Sequence, residues 1–167
     1  MANADQIDLM LDQWRRERPD LDLSALGTFG RLGQLTAVLL PAVERVFARH
    51  GLRGGEFDVL AALRRAGRPY TMIPSELSAV LMMSRAGMTN RLDRLEAAGL
   101  VDRRLDPADR RSFRIVLTDK GLETVDAALT EHAANIGRLI SVLSEDERAA
   151  LNRTLRVLQD AVGRPTA

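Results

Sequence analysis

Apolar residues recur along this chain with two periods, and the places where the period changes mark its parts. Ile7, Met10, Leu11 and Trp14 fall at i, i+3, i+4 and i+7, the spacing of one face of a short helix. "RPDLD" ends it. A second stripe through Leu32, Leu35, Val38, Leu39, Val43, Val46 and Phe47 predicts a long helix over 24–48, with Pro41 inside it as an expected kink. Phe57, Leu60 and Leu63 predict a helix over 56–66. "IPSELSAVL" predicts another over 74–82, with Pro74 in its first turn. "MSRAGMTNRLDRLEAAGL" predicts a third over 84–98. Ser84 is its N-cap, Met88, Leu92 and Leu95 its buried stripe, and Gly99 its stop, with Leu100 folding back on the last turn.

The period then becomes two. Phe113, Ile115 and Leu117 point one way, Arg114 and Val116 the other, which is the pattern of a strand with one buried face. Residues 101–105 are its partner, and Asp106, Pro107, Ala108, Asp109 and Arg110 supply turn chemistry between them. The result is a β-hairpin with arginines at its tip. Helical spacing returns after Thr118, an N-cap. Leu122, Val125, Leu129, His132, Ile136, Leu139 and Leu143 line one side of a helix over 119–142. Ser144 and Glu147 form a capping box that opens a last helix, with Leu151, Leu155, Leu158 and Val162 expected inward.

The fold class that follows is mainly α: a winged helix-turn-helix with long N- and C-terminal helices and a two-stranded β wing. We expect one domain over 1–167, with residues 51–118 as the winged lobe and residues 1–50 and 119–167 as dimerisation helices. The first and last helices carry apolar faces that so small a lobe cannot cover, and a second copy of the chain is the simplest partner.

Composition narrows the chemistry. The chain has no cysteine, so disulfides and thiol catalysis are excluded. The N-terminus, "MANADQIDLMLDQW", is acidic and unlike a signal peptide, and no unbroken apolar run of about 18 residues is present, so no membrane span and a cytoplasmic location are expected. Net charge is +1, but its distribution is uneven: residues 82–114 hold eight arginines against five acids, and residues 1–24 hold three against six. Of the 24 basic residues only Lys120 is lysine, which we read as compositional bias. Gly27, Gly30 and Gly33 recur every three residues without the Gly-Lys-Ser/Thr of a phosphate loop, so close packing of another helix is their expected role. His50 reads as a helix-end residue and His132 as a packed, hydrogen-bonded core histidine. The two have no Cys or clustered carboxylate partners, so a metal site is not expected, nor is a cofactor. The parts of an enzyme are missing as well: no Ser/His/Asp arrangement, metal cluster or nucleotide loop can be picked out, so catalysis is not expected.

A helix-turn-helix places its second helix in the major groove, N-terminal residues toward the base edges. Here those are Ser84, Arg85, Thr89, Asn90 and Arg94, with Ala86 small enough to allow approach. Thr and Asn donate to and accept from bases, and Arg forks onto guanine. Arg110 and Arg111 at the hairpin tip would enter the neighbouring minor groove, with Asp109 orienting Arg111. Double-stranded DNA is therefore the expected partner. An architectural DNA binder has the same groove chemistry, but it has no need of the terminal helices or of Trp14.

"SELSAVLMMSRAGMTNRLDRLEAAGLVDRRLDPADRRSFRIVLTDKG" resembles the MarR family of bacterial ligand-responsive transcription regulators. The resemblance covers roughly 23–162 and is most specific in "MTNRLDRLEAAGLV", the Asp-Arg-Arg of the wing, and "LTDKG". It implies a homodimer that binds a palindromic operator, usually as a repressor, and is released by a small effector. One departure is Ile73, which stands where the family often has a Ser or Thr cap. The N-terminal "LDQWRRERPDLD" and "GEFDVLAALRR" are similar to the urate-responsive members. That likeness implies ligand-response roles for Trp14, Asp58, Arg91 and Arg103, with Arg104 adjacent and able to take the last role. A flat purine anion would stack on indole and pair with guanidinium, and Asp58 would compete for an arginine in the free protein. A phenolic or other aromatic acid is the alternative effector.

Overall fold

A computed structural model describes residues 6–106 and 112–162, and its helices fall close to where the apolar spacing puts them. Contacts divide the chain into two units, Met1–Arg45 and Val46–Ala167, so the C-terminal helices group with the winged lobe. The first unit holds α1 (Gln6–Glu17) and most of α2 (Ser24–Arg49). Ile7 and Leu11 bury the inner face of α1. The glycine spacing has its cause here: a Cβ on Gly27 would stand 2.9 Å from Leu11 Cδ1, and one on Gly30 2.9 Å from Ile7 Cδ1, whereas Gly33 faces open space. Close helix packing thus explains two of the three glycines. The Arg31–Asp8 ion pair, at 2.7 Å, joins the same two helices.

The helical run of α2 continues through Pro41. By length and composition alone it is apolar enough to cross a membrane, with a mean hydropathy of 1.2 over its best window, although no unbroken apolar run announces this in the sequence. Phe29, Leu35, Val38 and Leu40 are exposed on it.

The second unit continues with α3 (Gly54–Arg65), β1 (Thr71–Met72), α4 (Pro74–Val80), α5 (Arg85–Ala97), β2 (Val101–Leu105), β3 (Phe113–Leu117), α6 (Asp119–Ile140) and α7 (Glu145–Val162). Its core is Val59, Leu60 and Leu63 of α3, Leu77 of α4, Met88 and Leu95 of α5, Ile115 of β3 and Val125 of α6, all essentially inaccessible. Phe47 and Phe57 stack at 4.2 Å between ring centroids, with the His132 ring 4.9 Å from Phe47. His132 is packed as expected, but its Nδ1 has no hydrogen-bond partner among the described residues. His50 does more than end a helix: its Nε2 lies 2.8 Å from Glu131 Oε2 on α6, and Arg49 pairs with the same carboxylate.

The hairpin pairs in the expected register, Val101 opposite Leu117 and Leu105 opposite Phe113. It is not two-stranded, however. β1 adds to the free edge of β3, giving the order β1-β3-β2. Two residues are too few to show a period, so this strand is silent in the sequence. Ile115 and Leu117 are buried as the alternation predicts, while Phe113, opposite the exposed Leu105, lies beyond the core. The helix starts also follow their caps. The Ser84 hydroxyl accepts from Gly87 N, Ser144 and Glu147 cap α7 reciprocally, and Ile73, lacking a side-chain oxygen, has its N–H satisfied by Glu76 at 3.1 Å.

The last helix departs from expectation. No residue of α7 is buried; Leu151, Leu158 and Val162 are exposed and Leu155 is only half-buried. On α6, Val125 and Ala128 face the core but Leu129 and Ile136 do not. The apolar stripes are real, but this single chain does not cover them.

Where α5 ends and α6 begins, three successive carbonyls are met by three donors. Lys120 Nζ donates to Ala98 O at 2.7 Å, Thr118 Oγ1 to Gly99 O at 2.8 Å, and Thr118 N to Leu100 O at 3.2 Å. The Thr118 hydroxyl also accepts from Gly121 N at 2.9 Å, capping α6. Gly99 holds φ +68°, and Leu100 N closes back on Leu95 O at 2.9 Å. A Cβ on Gly121 would run into the Leu100 carbonyl.

Glu56 is the second fixed point. Buried on α3, its carboxylate accepts from Arg53 N at 2.9 Å and pairs with Arg94 Nε of α5 at 2.6 Å. Burial pushes its carboxyl up, but the Arg53 N–H and the Arg94 guanidinium outweigh burial and hold it below the usual carboxylate range.

Two predictions follow from these contacts. Glycine to alanine inside a helix normally stabilises by about 0.5–1 kcal/mol; Gly121→Ala should instead destabilise by about 1–3 kcal/mol, because the new methyl overlaps fixed backbone. Urea unfolding measures it, and a stabilised variant would contradict the geometry. Glu56→Gln keeps an oxygen for the Arg53 N–H but removes the charge. A carboxyl depressed in the folded state gives stability that is complete above its unfolded value of about 4.3 and is lost as pH falls through the folded value. The stability gap between wild type and Glu56→Gln should therefore be full at neutral pH and close below about pH 4.3; denaturation curves from pH 7 to 3 should show this closure rather than a constant offset.

Candidate nucleic-acid interface

The face of α5 opposite its buried stripe carries Arg85, Ala86, Thr89 and Asn90, all exposed. Helical geometry brings them together, since i, i+1, i+4 and i+5 share one side. Among the described residues, the side chains of Arg85 and Asn90 have no hydrogen-bond or ion-pair partner in the protein. Thr89 Oγ1 donates 3.0 Å to Arg85 O. Ser84 sits at the helix start as its cap, so its hydroxyl has a structural task. Arg85 and Thr89 also border a cleft of about 380 Å³ shared with Ile73, Pro74, Ser78 and Phe113.

Arg94 is placed differently from these. It lies on the same helix, but its Nε is held by buried Glu56, which fixes the guanidinium between α3 and α5. The wing-tip residues Asp109, Arg110 and Arg111 lie outside the described residues. The base of the wing is closed by an ion pair absent from the sequence reading: Arg114 Nε lies 2.9 Å from Oδ2 of Asp106, a nearly inaccessible carboxylate, and Asp106 N donates to Ser112 O at 3.0 Å.

Two of the arginines considered for ligand response have ion-pair partners of their own. Arg103 of β2 pairs with Asp93 and, at 3.3 Å, with Glu96, so it staples the wing strand to α5. Arg104 pairs with Asp102 of its own strand at 3.0 Å. Arg91 is half-buried, its guanidinium lying against Gly55 and touching the Met83 thioether; among the described residues no carboxylate pairs with it. Gly55 is what leaves room for it, since a Cβ there would overlap the guanidinium. Asp58 lies on the exposed side of α3. Trp14 belongs to the first unit and is 47% exposed.

Sequence reasoning passed over the lysine clamp, Glu56 and Asp106. "LTDKG" carried the signal for the first: a lone lysine in an arginine-rich chain marks a place where a compact ammonium is needed.

Known proteins share this arrangement. Residues 50–112 match the MarR family as a sequence profile. The HTH-type transcriptional regulator PecS of Dickeya dadantii is 39% identical over 155 residues, which is 93% of each chain. AbsC, a MarR family transcriptional regulator from Streptomyces coelicolor, superposes with a TM-score of 0.77 at 25% identity, covering 86% of this chain and 98% of its own. A mutant MarR from Escherichia coli complexed with operator DNA superposes with a TM-score of 0.70 at 25% identity, over 81% of this chain and 96% of its own. With α5 exposed beside a wing, and with a relative of this identity over nearly its whole length, the chain belongs to the MarR family of helix-turn-helix transcriptional regulators.

Proposed function

We propose that the chain is a repressor that binds a palindromic operator as a homodimer and releases it when a small aromatic anion, urate in the first place, is bound. The observation that carries the DNA half is the exposed face of α5, where Arg85 and Asn90 stand without partners among the described residues while Arg94, Arg103, Arg104 and Arg114 are paired. An arginine with a carboxylate partner is largely neutralised; one without is available to a phosphate or a guanine edge. Arg110 and Arg111 are assigned to the minor groove on the strength of the sequence. The dimer half is supported by the uncovered stripes of α6 and α7 and by the exposed apolar residues of α2. The Escherichia coli relative is complexed with operator DNA, which supports DNA as the partner.

For the effector, Arg91 offers a half-buried guanidinium without a carboxylate partner among the described residues, and Trp14 offers an accessible indole. Asp58 is proposed to act on the anion by repulsion. Arg103 would join only by leaving Asp93 and Glu96. A second reading has an observation of its own: a phenolic or other aromatic acid would fit the cleft beside Arg85 and Thr89 and would block DNA directly.

Footprinting on the protein's own upstream region, with sedimentation of the free protein, tests the first half. A short palindromic footprint and a dimer are expected; diffuse coverage would favour an architectural binder, and a folded monomer would remove the dimer. Asn90→Ala should relax base preference by about 1–3 kcal/mol if its contact is bidentate. Arg111→Ala should weaken binding to all sequences and lower the salt slope by about one. For the second half, urate should release the operator and quench Trp14, the only tryptophan; Trp14→Phe should keep DNA binding and weaken the response. Release by an aromatic acid that leaves Trp14 fluorescence unchanged would move the effector to the cleft beside α5.

A further inference from the structure

We propose that Thr89 reads thymine through its methyl group, and not a base edge through its hydroxyl. This rests on the DNA-binding reading above and assigns one contact within it. The only proton of the Thr89 hydroxyl is committed: Oγ1 donates 3.0 Å to Arg85 O, one turn back on the same helix. The same bond is made by Thr36, Thr124, Thr130 and Thr154, at 2.8, 2.7, 2.8 and 3.1 Å, so it is the common state of the helical threonines among the described residues, though not of Thr28. With its proton turned onto the helix wall, Oγ1 can no longer donate to a base acceptor, and the methyl is the group Thr89 turns to an apolar edge. Ala86, three residues earlier, is exposed on the same face. Ala86 and Thr89 therefore make a strip of two methyl groups, flanked by the hydrogen-bonding side chains of Arg85 and Asn90.

A base edge in the major groove presents one apolar group, the C5-methyl of thymine, and it is read by small apolar contacts of this kind. The strip discriminates without taking a donor from the helix. Arg85 and Asn90 are left to read the polar edges on either side.

The test uses full-length protein and a duplex that the wild type enriches from a random library. Each thymine is replaced singly by deoxyuridine, which removes only the methyl, and affinities are compared for wild type, Thr89→Val and Thr89→Ser. Wild type should lose about fourfold at one thymine per half-site, the worth of one buried methyl. Thr89→Val keeps the methyl and the branched shape, so it should match wild type on both duplexes. Thr89→Ser keeps the hydroxyl alone; it should bind the thymine duplex about fourfold more weakly than wild type and lose its sensitivity to deoxyuridine there. The inference is overturned if Thr89→Ser binds like wild type while Thr89→Val is weakened, or if no single deoxyuridine matters. Circular dichroism of both variants checks that α5 is intact. Enrichment of no duplex by the wild type would overturn the DNA reading and this inference together.

Discussion

The junction between α5 and α6 is the constraint on which the rest of the lobe depends. An α-helix leaves its last four carbonyls without intrahelical partners. At the end of α5 the chain turns through Gly99, closes Ala98, Gly99 and Leu100 N–H groups onto Arg94, Glu96 and Leu95, and brings the first residues of α6 back onto the carbonyls of Ala98, Gly99 and Leu100, which follow the helix. Thr118 serves both helices at once, donating to the end of α5 and capping the start of α6. A lysine ammonium near a helix C-terminus also meets the negative end of the helix dipole. The closeness of this contact excludes any side chain at position 121. Because α6 runs on from here to Ile140, a displacement of α6 cannot leave α5 where it was unless this junction breaks. Any regulator that acts on the face of α5 from the C-terminal helices has this route built in.

Charge is distributed by the same logic of which partners are near. Most of the ion pairs on this lobe are solvent-exposed, and pairs of that kind contribute about 0–1 kcal/mol each. They set position more than stability. Arg64 and Asp126 tie α3 to α6, and Arg49 and His50 tie the last turn of α2 to Glu131. Glu56 and Asp106 differ because they are nearly inaccessible. Removing the partner of a buried carboxylate leaves it uncompensated, which is far costlier than losing an exposed pair. Thus Arg94 and Arg114 are held in place by acids that cannot easily release them, whereas Arg85 has no such acid among the described residues. The recognition face is basic through what is left unpaired there.

Much of this was legible in the sequence, for reasons that can be named. Amphipathic helices with strong caps announce themselves: Ser84, Thr118 and the Ser144–Glu147 box all act where their residue types require. Gly99 and Leu100 make the helix stop that their types imply. What stayed hidden was of three kinds. β1 is two residues long and has no period. Long-range polar pairs such as Glu56–Arg94 and Asp106–Arg114 lie 38 and 8 positions apart, and charge spacing along the chain says nothing about them. The stripe of α7 was read correctly as apolar but wrongly as inward, because periodicity tells which face avoids water and not which molecule covers it. For the site, the exposure of Arg85, Thr89 and Asn90 followed from helix phase, while the partners of Arg94 and Arg103 did not.

Those partners also rank the arginines by how readily an anionic effector can claim them. A tenfold loss of DNA affinity requires about 1.4 kcal/mol of preference for the released state. Claiming Arg94 would strand Glu56 in the interior, a penalty larger than that preference. Claiming Arg103 would free Asp93 and Glu96, which water can solvate, at the cost of exposed pairs worth about 0–1 kcal/mol each. Claiming Arg91 breaks no ion pair among the described residues, only a thioether contact. On the proposed reading, Arg91 is, of these three arginines, the one an anion would claim with least opposition. Arg103 comes second, and its loss to the anion would unfasten β2 from α5 and so loosen the wing from the recognition helix. On the same reading Arg94 would stay with the frame, because its partner on α3 is a buried carboxylate.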